Sequence, residues 1–414
     1  MRSPLADRVP PPRRIAHRAT TASLQALIPF IAESSLGSAG VYIGTDAFSR
    51  SPFYFDPIRM YLDGVIGDPN ILVIGRLGYG KSALMKALSR RLNVVGYSTI
   101  YLDPKGETTP LARAFRVQPL RLAAGGELRL NPLDEKLASA TGLDPTRERE
   151  LLMRAVLPVM LERPLRPAEL RIVSEVVREV VERCSAPTLR DVHAGLAAHG
   201  EVTADPADAL WDYIHGPAGA LFDAPTSAGV DLDAPLLALN LRRLTQTLTA
   251  EKQRLVTLAL AAAWLFAIVS RRPGYKLFVA DEAWFMLRHR AAAEWFQAQW
   301  KLCRATSTAN VAVLHRLSDL EAADGTMASV RGLLADCATK VIFNQEPGEI
   351  PLLQKHLGLS STEIEYVRSL GRAWALWRMG ERSFVVKLDV QPAEWSIVDT
   401  DGAMRGEVLD GPED

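Results

Sequence analysis

Short apolar runs alternate with longer amphipathic stretches over much of the chain. The run at residues 71–74 predicts a buried strand, and apolar side chains then recur at helical spacing from residue 82 to residue 92. Further apolar runs predict strands at residues 98–102, 236–241, 276–280, 310–314 and 339–343. Strands that alternate with helices in this way indicate an α/β fold with a mostly parallel sheet.

The pattern between residues 135 and 235 differs, because it predicts helices only. Its clearest part is a set of apolar side chains on one helical face: Leu170, Val173, Val176, Val177, Val180 and Val181. We therefore expect an all-helical insertion at residues 135–235, followed by a long helix at residues 250–270. The uncharged residues 256–269 fall short of the roughly 18–20 residues that a membrane span needs, so we expect this helix to be buried.

The insertion divides a core domain that we expect at residues 71–134 and 236–395. Before this core, strand-like pieces at residues 41–43 and 53–55 predict a small N-terminal β segment over residues 20–70. Residues 1–19 are rich in proline and arginine, which is typical of a flexible basic tail, and the acidic residues 396–414 predict a disordered tail. A hairpin around Gly380 is expected near the end of the core.

The composition is that of a globular protein with a sizeable core. The chain has 414 residues, of which 48% are hydrophobic, and its 48 basic side chains balance 48 acidic ones. A neutral balance gives no support for tight nonspecific binding of nucleic acid, although it does not exclude a local basic channel. The three cysteines and seven histidines show neither paired nor metal-ligand spacing. We therefore expect reduced thiols, a cytoplasmic protein and no structural zinc.

The candidate chemistry begins at residues 75–82, which match the phosphate-loop pattern G-x-x-x-x-G-K-[ST] between a predicted strand and a predicted helix. Glycines let the backbone bring N–H groups close to phosphate oxygens, and the helix N-terminus adds a positive end. Lys81 would reach the β- and γ-phosphates of ATP, and Ser82 would hold Mg²⁺. The alternative, a glycine-rich turn that binds nothing, is disfavoured by the flanking strand and helix. The candidate nucleotide-binding residues of the loop are Gly75, Gly78, Tyr79, Gly80, Lys81 and Ser82.

A second chemical centre follows the predicted strand at residues 276–280, which ends in Asp281 and Glu282. Asp281 would bind nucleotide through the Mg²⁺ shell, and Glu282 would activate the water that attacks the γ-phosphate. Strands often end in acidic residues, so this assignment depends on the phosphate loop upstream. Two further predicted strands end in polar residues that are placed to sense the γ-phosphate. The strand at residues 310–314 ends in His315, and the strand at residues 339–343 ends in Asn344 and Gln345.

Five phrases of the sequence, in this order, resemble those of the conjugative and type IV secretion motor ATPases (conjugal transfer ATPases) of the HerA/FtsK superfamily. They are Phe55-Asp56-Pro57, residues 75–82, Asp103-Pro104-Lys105-Gly106-Glu107, Asn131-Pro132-Leu133-Asp134 and Val279-Ala280-Asp281-Glu282-Ala283-Trp284. The resemblance covers residues 20–395. It implies a RecA-like P-loop NTPase core that assembles as a hexameric ring. It also implies that ATP, bound with Mg²⁺, is hydrolysed to drive substrate transfer or pilus assembly.

The resemblance further implies a catalytic arginine that reaches the nucleotide of a neighbouring subunit. Arg304 lies at the matching place, at the end of the helix that follows Glu282, with Arg316 and Arg331 as alternatives. Such an arginine neutralises transition-state charge and is worth a factor of about 10³–10⁵ in rate. The chain departs from the family at His315, where relatives commonly have glutamine, and at Tyr79, where a small residue is usual.

Three functions are compatible with these residues. The leading one is an ATP-hydrolysing motor of a conjugative or type IV secretion apparatus, and the second is a hexameric DNA translocase with the same ring and chemistry. The third, a nucleotide-gated assembly scaffold, needs no water-activating carboxylate, so Glu282 argues against it. The expected partners are other copies of the chain in a homo-hexamer and proteins of the secretion or conjugation machinery. DNA is a further possible partner that the sequence does not decide. We expect a location in the cytoplasm or, through partners alone, at the inner face of the cell membrane.

Overall fold

The computed structural model describes residues 36–123, 126–134, 144–216, 219–248, 251–283, 287, 290–321 and 327–399. The predicted basic tail at residues 1–19 lies outside these ranges. Residues 20–35 of the predicted β segment, residues 135–143 of the predicted insertion and residues 400–414 of the predicted acidic tail lie outside them as well.

One mixed sheet runs through the described chain. Its strands are β1 (Val41–Asp46), β2 (Pro52–Phe55), β3 (Ile71–Ile74), β4 (Ser98–Asp103), β5 (Leu120–Arg121), β6 (Leu236–Asn240), β7 (Lys276–Ala280), β8 (Thr308–Leu314), β9 (Thr339–Ile342), β10 (Trp374–Met379) and β11 (Arg382–Leu388). They lie in the order β2-β1-β11-β10-β9-β3-β8-β7-β4-β6-β5. From β9 to β5 neighbouring strands are parallel, whereas β10, β11, β1 and β2 extend the sheet with antiparallel pairs. The expected α/β fold with a mostly parallel sheet is confirmed.

The helices flank this sheet on both faces. They are α1 (Pro57–Leu62), α2 (Lys81–Val94), α3 (Thr109–Ala114), α4 (Pro145–Leu161), α5 (Pro167–Arg183), α6 (Leu189–Ala198), α7 (Ala204–His215), α8 (Gly219–Phe222), α9 (Arg242–Thr247), α10 (Glu251–Arg271), α11 (Arg290–Trp300), α12 (Ser318–Glu321), α13 (Met327–Ala335), α14 (Ile350–Leu357), α15 (Ser361–Ser369) and α16 (Trp395–Val398). Helices α4 to α8 fall within the predicted insertion, whose boundaries stay a prediction.

Side chains that alternate along the parallel strands fill two hydrophobic cores, one on each face of the sheet. In β3, Ile71 and Val73 belong to the core that α2 and α3 cover, whereas Leu72 and Ile74 belong to the core that α10 and α11 cover. Helices α4 to α8 join the second core, where α4 packs against α10 and α11. With both faces covered, the carboxyl ends of the parallel strands are the natural place for a ligand site.

Helix α10 lies deep in the second core. Nearly all of its side chains from Leu255 to Val269 are buried, and Trp264 is fully enclosed. Burial on every side explains why its sequence carries apolar residues all round rather than on one stripe. Within the described ranges, no helix is both long enough and apolar enough to cross a bilayer.

Both ends of the described chain pack onto the core. Strand β1 pairs with β11 and β2 pairs with β1, so the predicted N-terminal β segment adds the last two strands at one side of the same sheet, with β2 at its edge. Helix α16 packs against α2 and α3. The boundary predicted at residue 396 therefore falls inside a helix, and the predicted start of the acidic tail is too early.

Candidate nucleotide-binding site

The candidate site lies where four neighbouring strands end. In the sheet order β3-β8-β7-β4, the carboxyl ends lead into residues 75–82, His315, Asp281-Glu282 and residues 103–107. Parallel strands all end at the same edge of a sheet, so groups far apart in the sequence meet there. The structure thus brings the phosphate loop, both carboxylates and His315 to one edge.

The loop at residues 75–82 begins directly after β3 and ends in the first turn of α2. Gly78 and Gly80 have φ values of 80° and 110°, which residues with a side chain rarely adopt. Gly75 is constrained by space instead, since a Cβ atom there would lie 2.4 Å from Cβ of Phe343. Because Gly80 is the N-cap of α2, the first N–H groups of that helix are left for a ligand at the loop.

Lys81 is buried, with only 5% of its surface exposed. Its Nζ donates hydrogen bonds to the carbonyl oxygens of Gly75 and Arg76, the second at 3.0 Å. Burial lowers the pKa of Lys81 to about 8, with Asp281 opposing the decrease and Lys105 adding to it. An ammonium group held at the loop by carbonyl oxygens is well placed to exchange them for phosphate oxygens. Ser82 follows Lys81 in the first turn of α2 and is partly buried.

Residues 371–373 hold the loop from the side of β10. Nε of Arg372 donates a hydrogen bond to the carbonyl oxygen of Gly78 at 2.8 Å, and the N–H of Ala373 donates one to the carbonyl oxygen of Tyr79 at 3.0 Å. The ring centroid of Tyr79 lies 5.4 Å from the guanidinium carbon of Arg76, within the range of a cation–π contact. Sequence reasoning missed Arg372, because it lies 294 residues from Gly78 and reaches the loop only through the sheet order.

Asp281 follows β7 and is buried, with 5% of its surface exposed. Burial raises its pKa to about 7, and the neighbouring negative charges of Glu282 and Asp103 add to the increase. A buried carboxylate among other acids favours a cation beside it. Mg²⁺ typically takes one or two protein ligands and completes its shell with phosphate oxygens and water, so Ser82 and Asp281 are a suitable pair. Within the described residues, no three acidic, histidine or cysteine side chains gather closely enough to hold a metal ion by themselves.

Glu282 has a left-handed backbone, with φ of 54°, which is unusual for a residue with a long side chain. Its Oε1 lies 2.6 Å from Nε2 of His315 and forms an ion pair with Nζ of Lys105. Burial alone would raise the pKa of Glu282, but the hydrogen bonds from His315 and Lys105 outweigh it and hold the pKa at about 2. Glu282 is therefore ionised, and the structure places it in contact with the sensor candidate His315.

Lys105 is a residue of this site to which sequence reasoning gave no role. Its Nζ lies 3.3 Å from Nε2 of His315 in addition to its ion pair with Glu282. The fully buried Asp103 shapes the turn that presents it: its carboxylate accepts hydrogen bonds from the N–H groups of Lys105, Gly106 and Thr108 at 3.2, 2.8 and 2.8 Å. Aspartate followed by glycine three residues later is a recognisable turn signal, but it does not reveal what the lysine touches.

Solved structures identify the fold. VirB4 of Thermoanaerobacter pseudethanolicus matches with a TM-score of 0.73 and 18% identity, over 87% of this chain and 98% of that one. The bacterial conjugative coupling protein TrwB matches with a TM-score of 0.57 and 14% identity, over 86% of this chain and 91% of that one. TrwB in complex with ADP and Mg²⁺ matches with a TM-score of 0.53 and 14% identity, over 78% of this chain and 85% of that one. The chain has the fold of VirB4 and TrwB. No family model matches the sequence, nor does any curated protein.

The VirB4 and TrwB fold confirms the RecA-like P-loop architecture that the resemblance implies. Two of the five resembling phrases have evident structural roles. Asp56 caps α1 by accepting a hydrogen bond from the N–H of Arg59 at 2.9 Å. Nδ2 of Asn131 donates to the carbonyl oxygen of Pro187 at 2.8 Å, which ties its turn to the start of α6.

The three arginine candidates lie at different places. Arg304 precedes β8, at the edge opposite the phosphate loop, where its Nη2 donates to the carbonyl oxygen of Gly67 at 3.0 Å. Arg316 follows β8 on the loop side and pairs with Glu346 at 3.1 Å, and Arg331 is exposed on α13. Arg304 therefore does not reach the loop of its own chain, and any role at a nucleotide would require a neighbouring subunit.

The polar residues after β9 are both buried but differ in their contacts. Nδ2 of Asn344 donates to the carbonyl oxygens of Val367, Arg368 and Leu370, so that amide is used to hold the chain after α15. Gln345 is 3% exposed, and neither atom of its amide has a hydrogen-bond partner among the described residues. Of the two, Gln345 is the one with an amide left for a ligand.

Proposed function

We propose that the protein is an ATP-hydrolysing motor of a conjugative or type IV secretion apparatus. The observation that carries the proposal is the meeting of the phosphate loop, Asp281 and Glu282 at one edge of the sheet, with His315 between them. TrwB, a bacterial conjugative coupling protein with this fold, has been solved with ADP and Mg²⁺. That complex supports a nucleotide at the matching edge here.

The proposed reaction is in-line attack of water on the γ-phosphate. The N–H groups of residues 75–82 bind phosphate oxygens, and the Lys81 ammonium neutralises charge that develops on them. Glu282, ionised at neutral pH, orients the attacking water and accepts a hydrogen bond from it. Ser82 and Asp281 would hold Mg²⁺, which would supply further positive charge to the phosphates. The parallel strands fix the loop and both acidic residues relative to one another, which supplies the positioning that phosphoryl transfer needs.

The proposed assembly is a homo-hexamer in which Arg304 of one subunit serves the nucleotide of the next. Its position at the edge opposite its own loop supports this role, because from there the side chain does not reach the loop of its own chain. We propose proteins of the secretion or conjugation machinery as partners, in the cytoplasm or at the inner face of the cell membrane. DNA as a transported substrate is left to experiment.

Steady-state ATP hydrolysis by the purified full chain, with and without single- and double-stranded DNA, tests the proposal. The secretion motor predicts hydrolysis that requires Mg²⁺ and proceeds without DNA in the assembled oligomer. Strong stimulation by DNA would replace the proposal with a DNA translocase of the same fold. Nucleotide binding without hydrolysis in any assembled form would replace it with a nucleotide-gated scaffold.

A further inference from the structure

Lys105 occupies an unusual position for a lysine outside the phosphate loop. It follows β4, three places from β3 in the sheet, yet its Nζ contacts the carboxylate proposed to orient water. Its side chain is 37% exposed while that of Glu282 is 10% exposed, so Lys105 reaches inward from the rim of the site. Asp103 fixes the turn beneath it through its buried carboxylate.

The contact occupies one oxygen of the carboxylate that we propose orients water. Lys105 and His315 both bind Oε1 of Glu282, Lys105 from the turn after β4 and His315 from the end of β8. A carboxylate oxygen that is paired with an ammonium group and an imidazole nitrogen is a poor acceptor for a third hydrogen bond, from water. Orientation of an attacking water by this oxygen therefore requires Lys105 to move away.

A γ-phosphate brings anionic oxygens to the same pocket. Nζ of Lys105 lies 3.3 Å from Nε2 of His315, which follows β8, the strand directly beside β3 and its phosphate loop. Burial lowers the pKa of Lys81, and the positive charge of Lys105 also contributes to the decrease. Phosphate oxygens of ATP carry more negative charge than one carboxylate, and they would compete with Glu282 for the Lys105 ammonium. ADP lacks the γ-phosphate and would leave the ion pair intact.

We propose that Lys105 distinguishes ATP from ADP by transferring its ammonium group from Glu282 to the γ-phosphate, which frees Glu282 to orient water. The inference rests on the proposed function, because it assigns a selecting and positioning role within the same ATP site. No covalent bond forms or breaks in this step. It exchanges one ion pair for another, and it makes the active arrangement of Glu282 depend on the presence of the γ-phosphate.

The test is equilibrium binding of Mg·ADP and of the non-hydrolysable analogue Mg·ADPNP to the full chain. Lys105→Met removes the ammonium and keeps the length of the side chain. We expect the preference for ADPNP over ADP to fall about tenfold, in line with the loss of one charge-assisted hydrogen bond. Lys105→Arg should restore most of the preference. Lys301→Met, at an exposed lysine near the opposite edge of the sheet, is the matched control and should leave it unchanged.

Glu282→Gln supplies a prediction of opposite sign. A neutral amide competes less for Lys105, so the preference for ADPNP over ADP should rise in Glu282→Gln and fall again in the double variant with Lys105→Met. If Lys105 merely supported the structure, Lys105→Met would weaken the binding of both nucleotides equally. Equal weakening, or an unchanged preference in Lys105→Met, would overturn the inference alone. Failure of the wild-type chain to bind either nucleotide would overturn the proposed function and this inference with it.

Discussion

Gly75 shows how closely the phosphate loop is packed against the strand beside it. In Gly75→Ala the new Cβ would lie 2.4 Å from Cβ of Phe343, so the loop must move away from β9. We expect at least a tenfold loss of Mg·ADPNP affinity in equilibrium binding. Gly348→Ala is the matched control, because a Cβ at that glycine would meet nothing within 4 Å. Wild-type affinity in Gly75→Ala would show that the loop tolerates the displacement.

Asp281 shows the energetic cost of burying a carboxylate among other acidic groups. Its raised pKa means that the folded state binds its proton more tightly than the unfolded state does. Stability is therefore lost as the pH rises from the ordinary aspartate range toward about 7, above which the loss stays constant.

Asp281→Asn should remove that loss. In the absence of Mg²⁺ and nucleotide, we expect the free energy of unfolding in urea to increase by roughly 1–4 kcal/mol at pH 8 and by much less at pH 4. The same variant should lose Mg²⁺-dependent hydrolysis. An Asp281→Asn variant that is less stable than wild type at pH 8 would contradict the account.

The position of a candidate site residue in the fold could be predicted where the residue carries its own local pattern. The loop glycines, Lys81, Asp281 and Glu282 could be placed because an apolar strand precedes each group and a known pattern follows. The contacts of Lys105 with Glu282 and of Arg372 with Gly78 could not be predicted, since they depend on which strands become neighbours. That order is set by packing of the whole sheet, which no local pattern encodes.

At the scale of elements, Arg91 joins α2 to the two ends of the described chain. Its guanidinium donates to the carbonyl oxygens of Tyr42 and Asp389 at 2.7 and 2.6 Å and forms an ion pair with Glu394 at 2.5 Å. Both side chains of that pair are nearly buried, at 12% and 14% exposure. The pair thus fixes β1, the end of β11 and the start of α16 against α2.

Arg91→Ala should destabilise the fold by about 2–4 kcal/mol, because a largely buried carboxylate loses its cation and the carbonyl oxygens of Tyr42 and Asp389 lose a charged donor. Burial raises the pKa of Glu394, but the hydrogen bond from Arg91 and further bonds outweigh it, so the pKa is lowered overall. The stability that the pair contributes is therefore present above the ordinary glutamate pKa and is lost as the pH falls through the lowered value.

Urea unfolding at pH 7 and pH 3 checks both statements about Arg91. The difference between wild type and Arg91→Ala in the free energy of unfolding should be smaller at pH 3, below the ordinary glutamate pKa, than at pH 7. Arg59→Ala is the matched control, since the Arg59–Asp63 pair is exposed at 63% and 43% and should contribute nothing measurable. A difference that stays constant down to pH 3 would show that the ion pair is not the source of the stability.

Elements with strong local signals could be predicted, whereas their long-range pairing could not. The long buried helix expected at residues 250–270 is α10 at Glu251–Arg271, because uninterrupted apolar sequence of that length leaves few other structures. The attachment of β1 to β11 and the packing of α16 on α2 and α3 join residues hundreds of positions apart. Such pairings depend on how loops close and which edges are left exposed, so periodicity cannot reveal them.

At the scale of the whole molecule, the proposed ring makes each site depend on two chains. If Arg304 acts in trans, Arg304→Ala and Glu282→Gln should each inactivate a uniform oligomer, while mixed oligomers regain part of the activity. An intact Glu282 in one subunit then meets an intact Arg304 from its neighbour. Hydrolysis assayed over a series of mixing ratios, with oligomer size recorded, is the measurement. Wild-type activity of uniform Arg304→Ala oligomers would remove Arg304 from the mechanism.

The central claim is that the edge formed by β3, β8 and β7 hydrolyses ATP through Glu282. The most direct measurement is Mg²⁺-dependent phosphate release by the wild-type chain, by Glu282→Gln and by Glu381→Gln, a matched change on the exposed turn of the β10–β11 hairpin. We predict that Glu282→Gln binds Mg·ADPNP at least as tightly as wild type yet loses at least 100-fold in kcat, whereas Glu381→Gln keeps wild-type activity. Hydrolysis by Glu282→Gln at the wild-type rate would contradict the account.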